Sequence, residues 1–412
     1  MKQVIRPGLI SGTIHVPASK SDSQRAVLCA ALADGVSVLT GIGKSDDEQA
    51  MLKAIVDLGA KVNRISVSEV EITGIKSLPE NTSVSAGESG LGLRLLTCVA
   101  ASFDQKVFLT GKGSLLSRPM NFFDEVLPKF GCRVSTNKGF LPIEVHGPLE
   151  GNNIEVDGSL SSQFISGLLM ALPRSGKSSS LTVVDMKSGP YIQMTLRTLK
   201  HFGIAIENEN KIFKISGNQS YKATEYAVES DWSSAAYWLV AAALGHPVSV
   251  SGLSMQSLQA DKALLNALMN AGCKVLFESQ AIGVDGSGIH PFEFDATDCP
   301  DLFPALVVLA AKCNGVSLLK GAGRLVHKES NRGFALQTEF GKMGLRIDLE
   351  DDLMSVYGTG KLYGAEVFSH HDHRIAMCLA IAASIADGET ILLNADSVSK
   401  SYPDFWDHFK LS

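Results

Sequence analysis

The sequence predicts an α/β protein of two lobes, each built from three copies of a β/α unit of about seventy residues. Three observations lead there. Short polar clusters, each followed by an apolar, small-residue-rich helix pattern, start at 19, 87, 159, 230, 298 and 371, a spacing of 68 to 73 residues. A second series, out of phase with the first, consists of amphipathic helices that stop at Gly59, Gly131, Gly203, Gly272 and Gly344, each followed by a short strand signal. Third, the sixth unit breaks off at SYPDFWDHFKLS while the strand signals VIRPG and LISGTIHVP at the start are left over, so the two ends together could complete it. Two independent series with one period point to a repeat.

The elements follow in order. The first unit runs from the helix SKSDSQRAVLCAALADG through the strand VSVLTG to the helix end DLGAKV. The second and third repeat this with GESGLGLRLLTCVAAS, VFLTGKG and KFGCRV, then SLSSQFISGLLMALP, SLTVVD and HFGIAI. The fourth has SDWSSAAYWLVAAALG, VSVSGL and NAGCKV, the fifth DCPDLFPALVVLAAKCNG and KMGLRI, and the sixth HDHRIAMCLAIAASIADG. If the ends share a unit, residues 1–19 with 229–412 form one discontinuous lobe and 20–228 an inserted one. Two chain crossings would then act as a hinge, and a ligand is expected in the cleft between the lobes.

Composition narrows the function. With 45% hydrophobic and 19% charged residues over 412 positions the chain reads as globular, and its net charge of -6 argues against a nucleic-acid or acidic-membrane surface. The seven cysteines are far apart and several lie in apolar helix patterns, as reduced, buried thiols do. Neither a leader-like apolar segment nor an apolar run of membrane-spanning length is visible, so a soluble, cytoplasmic protein is expected.

Against that acidic background, Lys20, Arg25, Arg94, Arg118, Lys328, Arg332, Arg374 and Lys400 all fall near predicted helix starts. The partial positive charge of a helix N-terminus disfavours cations there. One such residue would read as solvated surface; eight at equivalent points of a repeat call for a partner. Helix N-termini with free N–H groups, Arg forks and Lys point charges together suit a polyanionic small molecule. Ser161, Ser162 and Gln163 open one helix, and Ser188 to Tyr191 another. Capping explains one serine in each cluster, leaving the others for phosphate or hydroxyl contacts. Asp301 and Glu329 are the acids among these cations, read either as a helix-start acid and a local ion pair or as proton carriers. The string HHDHR at 370–374 suggests a metal, but there is no matching Cys or His set elsewhere and Arg374 would repel a divalent ion; no metal is expected.

In this order, PASKSDSQRA, GESGLGLR, LLSRPM, SSQFISGLL, SGPYI, DWSSAAYWL, DCPDLFPAL, HKESNRGFALQTEFGKMG, HDHRIAMC and KSYPDFW span essentially the whole chain. The chain resembles the 5-enolpyruvylshikimate-3-phosphate synthase family. The resemblance implies the two-lobed inside-out α/β barrel of enolpyruvyl transferases, closing on its substrates. It implies that the 5-hydroxyl of shikimate 3-phosphate attacks phosphoenolpyruvate, giving a tetrahedral adduct that eliminates phosphate, a step towards chorismate and the aromatic amino acids. It implies a monomer that needs no cofactor, because preorganised cations meet the charge on the leaving phosphate.

Carried over motif by motif, Lys20, Gly90, Arg118, Gln163, Arg332, Arg374 and Lys400 would surround phosphoenolpyruvate. Lys20, Ser21, Arg25, Ser161, Ser162, Gln163, Ser188, Tyr191, Asp301 and Lys328 would hold shikimate 3-phosphate. Asp301, Glu329 and Lys20 would carry protons. Three positions depart from the family pattern. Glu88 brings a charge, expected to pair with a cation such as Arg94. Leu91 adds bulk beside Gly90, which predicts weaker inhibition by glyphosate, an inhibitor of the phosphoenolpyruvate site in this family. Asn331 stands where Asp is common. The alternatives are the sister family acting on UDP-N-acetylglucosamine, whose Lys-Asn start and loop cysteine are absent here, and a non-catalytic sensor of a phosphorylated metabolite, which would not require both acids.

Overall fold

The computed structural model describes residues 1–410 except Leu160, Ser279 and His327. Leu160 in SLSSQFISGLL and His327 at the head of HKESNRG therefore lie outside the described residues. The chain forms two compact units: a terminal lobe, Met1–Pro17 with Ser230–Ser412, and an inserted lobe, Ala18–Glu229.

The inserted lobe carries α1 (Lys20–Leu32), α2 (Asp46–Asp57), α3 (Gly90–Ala100), α4 (Asn121–Val126), α5 (Ser162–Ala171) and α6 (Gly189–His201). The terminal lobe carries α7 (Trp232–Ala243), α8 (Leu264–Asn270), α9 (Phe303–Lys312), α10 (Arg332–Lys342), α11 (His373–Ser384) and α12 (Phe405–His408). The odd-numbered helices are those of the first sequence series. They are enclosed, with most of their polar residues gathered towards their starts: every residue of α3 and of α11 is buried. The even-numbered helices α2 and α6 bury one face only, α2 through Met51, Leu52, Ala54 and Ile55 and α6 through Ile192, Met194 and Leu199.

All five glycines of the second series adopt left-handed backbone, with φ of 100° at Gly59, 80° at Gly131, 81° at Gly203, 81° at Gly272 and 86° at Gly344. After each, the next N–H returns to a carbonyl five residues back, as Cys132 does to Leu127 and Ile204 to Leu199. This is the six-to-one bond of a Schellman cap.

The sheets have two to four strands each and all are open. In four units the strand before the buried helix pairs in parallel with the strand after it: Ser83–Ser85 with Lys106–Thr110, Asn153–Asp157 with Ser179–Val184, Glu293–Asp295 with Asn314–Lys320, and Glu366–Phe368 with Thr390–Leu393. The other two units exchange these strands. Gly12–His15 precedes α1 but pairs with Val248–Ser251, whereas Glu225–Ala227 precedes α7 but pairs with Val36–Thr40. The leftover signal LISGTIHVP therefore completes the fourth unit, not the sixth. Only Lys2–Ile5 joins the sixth, antiparallel to Thr390–Leu393. The reason is topological: each crossing falls between an edge strand and its helix, so the strand stays in one lobe while the helix is built into the other. Each lobe ties its own pair of ends, Asp231 N–H donating to Pro17 O and Ser19 N–H to Glu229 O.

Candidate active site

In the inserted lobe the starts of α1, α3, α5 and α6 carry the expected residues. Ser19, Ser89 and Ser161 cap α1, α3 and α5 with their own hydroxyls, accepting from the N–H groups of Asp22, Gly92 and Gln163. Lys20, the first residue of α1, sets its ammonium 3.0 Å from Asp47 Oδ2, and both side chains are largely enclosed. Arg25 is buried a turn and a half on. Its guanidinium donates to Thr195 Oγ1 at 2.8 Å, to Ser21 O at 2.7 Å and to Tyr191 O at 3.4 Å, joining the first turn of α1 to α6. Burial pulls it down to about 10. Ser188 holds φ of 54° where α6 begins, a conformation unusual for a residue with a Cβ.

Gly90, Arg94, Arg118 and Gln163 come together. Arg94 Nη1 donates to Gln163 Oε1 at 2.6 Å and to Gly90 O at 3.4 Å, and its guanidinium lies 4.8 Å from the centre of the Phe164 ring. A Cβ on Gly90 would come within 2.5 Å of Arg118 Nη1 and 3.0 Å of Arg94 Nη1, so glycine is what admits both forks. The Glu88 carboxylate lies against Gly113, in the loop that leads to Arg118; a Cβ there would meet it at 2.4 Å. Ser162, beside the cap Ser161, is buried, and Leu91 is buried behind Gly90.

The terminal lobe gathers a denser set at the starts of α9, α10 and α11. Asp301 lies in the 3-10 turn Pro300–Leu302 that leads into α9. Its Oδ1 accepts from Lys328 Nζ at 3.2 Å and Arg332 Nη1 at 2.8 Å, and its Oδ2 from Arg374 Nη2 at 3.2 Å. Burial pushes this carboxyl up, but Arg374, Lys328 and Arg332 together outweigh it and hold it well below the usual range. Lys328 is lowered, burial exceeding the pull of Asp301. Arg332 is fully enclosed: besides Asp301 it donates to Glu329 Oε2 at 2.7 Å and, through Nε, to Asp372 Oδ2 at 3.0 Å. Lys400 is buried at the end of the 3-10 segment Ala395–Lys400. It and Arg118, which follows the 3-10 turn Gly113–Ser117, stand at the ends of short helical turns, Arg118 three residues ahead of the start of α4 at Asn121.

Four partners were not singled out from the sequence as site residues. In the sequence Asp372 reads only as part of a rejected metal motif; in the structure it caps α11 by accepting from Arg374 N–H and grips Arg332. Its signal was an Asp immediately before an apolar helix pattern. Asp261, wholly buried, faces Arg374 Nη1 at 4.0 Å and accepts from Ser233 Oγ. Asp47, the partner of Lys20, lies in the acidic start of α2. Arg94 stands in the sequence only as a cation near a helix start, whereas the structure bonds it to Gln163 and Gly90. Asn331, in the position where Asp was expected, caps α10 by accepting from Phe334 N–H at 3.2 Å.

Seen chemically, each lobe presents helix starts lined with enclosed cations, and in the terminal lobe Lys328, Arg332 and Arg374 converge on the Asp301 carboxylate. The family model described as EPSP synthase (3-phosphoshikimate 1-carboxyvinyltransferase) matches residues 5–409. The chain is 39% identical to the 3-phosphoshikimate 1-carboxyvinyltransferase of Clostridium beijerinckii over 98% of this chain and 96% of that protein. It is 37% identical to the one from Clostridioides difficile over 99% and 96%. Its fold is similar to that of EPSP synthase from Acinetobacter baumannii, with a TM-score of 0.83, 28% identity and coverage of 99% and 97%. An enolpyruvyl transferase from Streptomyces tendae shares the fold at TM-score 0.80 and 16% identity. The family model's match over nearly the full length and relatives of this identity show that this chain belongs to the EPSP synthase family.

Proposed function

We propose that the chain transfers the enolpyruvyl group of phosphoenolpyruvate to the 5-hydroxyl of shikimate 3-phosphate, releasing phosphate. The observation that carries the mechanism is the cage of Lys328, Arg332 and Arg374 around Asp301. A carboxylate so held is ionised but a weak base, because taking up a proton would break three ion pairs. Incoming phosphate and carboxylate groups compete for the same cations. As Arg374 and Lys328 turn to them, Asp301 loses part of its neutralising charge and its proton affinity rises. Basicity would thus appear when substrates are bound, where a general base for the 5-hydroxyl is needed.

Glu329, joined to Arg332, and Lys20, joined to Asp47, are the further proton carriers in this reading. Phosphoenolpyruvate must gain a proton at its methylene carbon as the C–O bond forms at C2. Elimination then returns a proton from that methyl as the C–O bond to phosphate breaks. Charge on the departing phosphate is met by fixed guanidinium groups, which need little rearrangement in the transition state. The test is to mix the purified protein with both substrates and follow phosphate release and the enolpyruvyl product by NMR. No release with shikimate 3-phosphate present sinks the reading, and release with UDP-N-acetylglucosamine instead would move it to the sister family.

A further inference from the structure

The motif HHDHR is only partly accounted for by Arg374. His370 and His371 both adopt left-handed backbone, with φ of 55° and 56°, although neither is glycine. Two consecutive residues in this conformation persist only where their surroundings hold them. Here the turn is tied at several points. Glu339, buried on α10, accepts from His370 Nε2 at 2.7 Å with Oε1 and from Phe368 N–H at 2.9 Å with Oε2, where Lys342 Nζ also donates at 2.6 Å. Ser369 Oγ donates to Asn394 Oδ1 at 2.7 Å, and Asp372 N–H to Ser369 O at 2.9 Å.

Arg332 and Glu339 are seven residues apart, so they share one face of α10. From that face Arg332 grips Asp372 and Glu339 grips His370, two residues apart in the strained turn. Helix α10 thus holds the turn at two points, and the turn ends where Asp372 caps α11 and orients Arg374. We infer that Glu339 and His370 are positioning residues: the Glu339–His370 bond keeps the strained turn in place, so that Asp372 and Arg374 sit where the anionic substrate needs them. Neither residue touches Arg374 in this arrangement; they act through the backbone of the turn.

The substrate part of this inference rests on the function proposed above; the structural part does not, and the experiment separates them. Three variants are compared with the parent: Glu339→Gln, His370→Ala, and His370→Asn, whose residue tolerates left-handed backbone and keeps an N–H donor. In Glu339→Gln and His370→Ala the KM for phosphoenolpyruvate is expected to rise about tenfold, with kcat and the KM for shikimate 3-phosphate changed less than about threefold. His370→Asn should restore most of that loss. Independently of activity, hydrogen exchange of the Arg332 Nε–H, bonded to Asp372, should speed up about tenfold by NMR. The Arg25 Nε–H, bonded to Thr195 in the other lobe, should be unchanged. If the parent does not turn over these substrates, the functional reading fails while the exchange data still decide the clamp. Unchanged Arg332 exchange in Glu339→Gln and His370→Ala, or equal acceleration at Arg25, overturns the inference.

Discussion

At Gly90 the absence of a side chain is what positions the site. A methyl group there would press on the ends of Arg118 and Arg94, which are flexible, so the cost falls on where the two charges point more than on folding. Gly90→Ala is expected to melt within a few degrees of the parent and to raise the KM for phosphoenolpyruvate about tenfold, a loss of roughly 1.4 kcal/mol of binding. An unchanged KM would mean these forks do not meet that substrate. Asp261 raises a question of sign. Burial pushes its carboxyl from 3.8 up to about 7, with Arg374 opposing and Asp301 reinforcing the rise. The folded protein thus keeps a proton that the unfolded chain releases across that window, and this residue's contribution to stability falls as pH climbs through it. Asp301 has the opposite sign, its contribution present above the ordinary carboxylate range and lost only in stronger acid. Asp261→Asn cannot ionise, so its melting temperature relative to the parent should rise between about pH 5 and about pH 8. Parallel melting curves would refute this. The cations were legible because they break a rule about helix starts. Asp261 was not, because nothing in LQADKAL shows that its carboxylate is buried beside an arginine from 113 residues further along the chain.

Among elements, the most readable feature was the end of each amphipathic helix. A left-handed cap has a local cause, since glycine alone adopts that backbone without a Cβ penalty, and it therefore leaves a local trace. Gly131 isolates this effect: with φ of 80°, a Cβ there would find its nearest neighbour, Glu150 Cγ, at 3.7 Å, so there is room and only the backbone is strained. Gly131→Ala should lower stability by about 1 kcal/mol in urea unfolding, and Gly131→Asn by less. Equal stability of all three proteins would show that the cap carries no strain. The strand exchange between the first and fourth units was not legible. LISGTIHVP has the alternation of a strand in either position, and parallel pairing is decided by where the connecting helix goes, a long-range fact with no local signature.

For the whole molecule, the repeat period indicated two lobes of three units, yet the manner in which the chain passes between them decides what each lobe can do alone. Every strand of the inserted lobe pairs within Ala18–Glu229, including Glu225–Ala227 on Val36–Thr40. The same last segment satisfies Asp22 on α1: the buried carboxylate accepts from Tyr226 OH at 2.7 Å and from Glu229 N–H at 3.1 Å. Burial raises this carboxyl, and those two bonds oppose the rise, so removing them leaves a costly group with neither partner. Residues 18–229 expressed alone should therefore unfold cooperatively in urea and protect the amides of α3 from exchange. A chain ending at Lys222 should lose about 3 kcal/mol or more, from the missing edge strand and the stranded Asp22 together. Asp22→Asn in the shorter chain should recover part of that loss, because a neutral amide is cheaper to bury than a carboxylate. Equal stability of the two fragments, or a non-cooperative 18–229, would show that the lobe is not a folding unit closed by its own last strand.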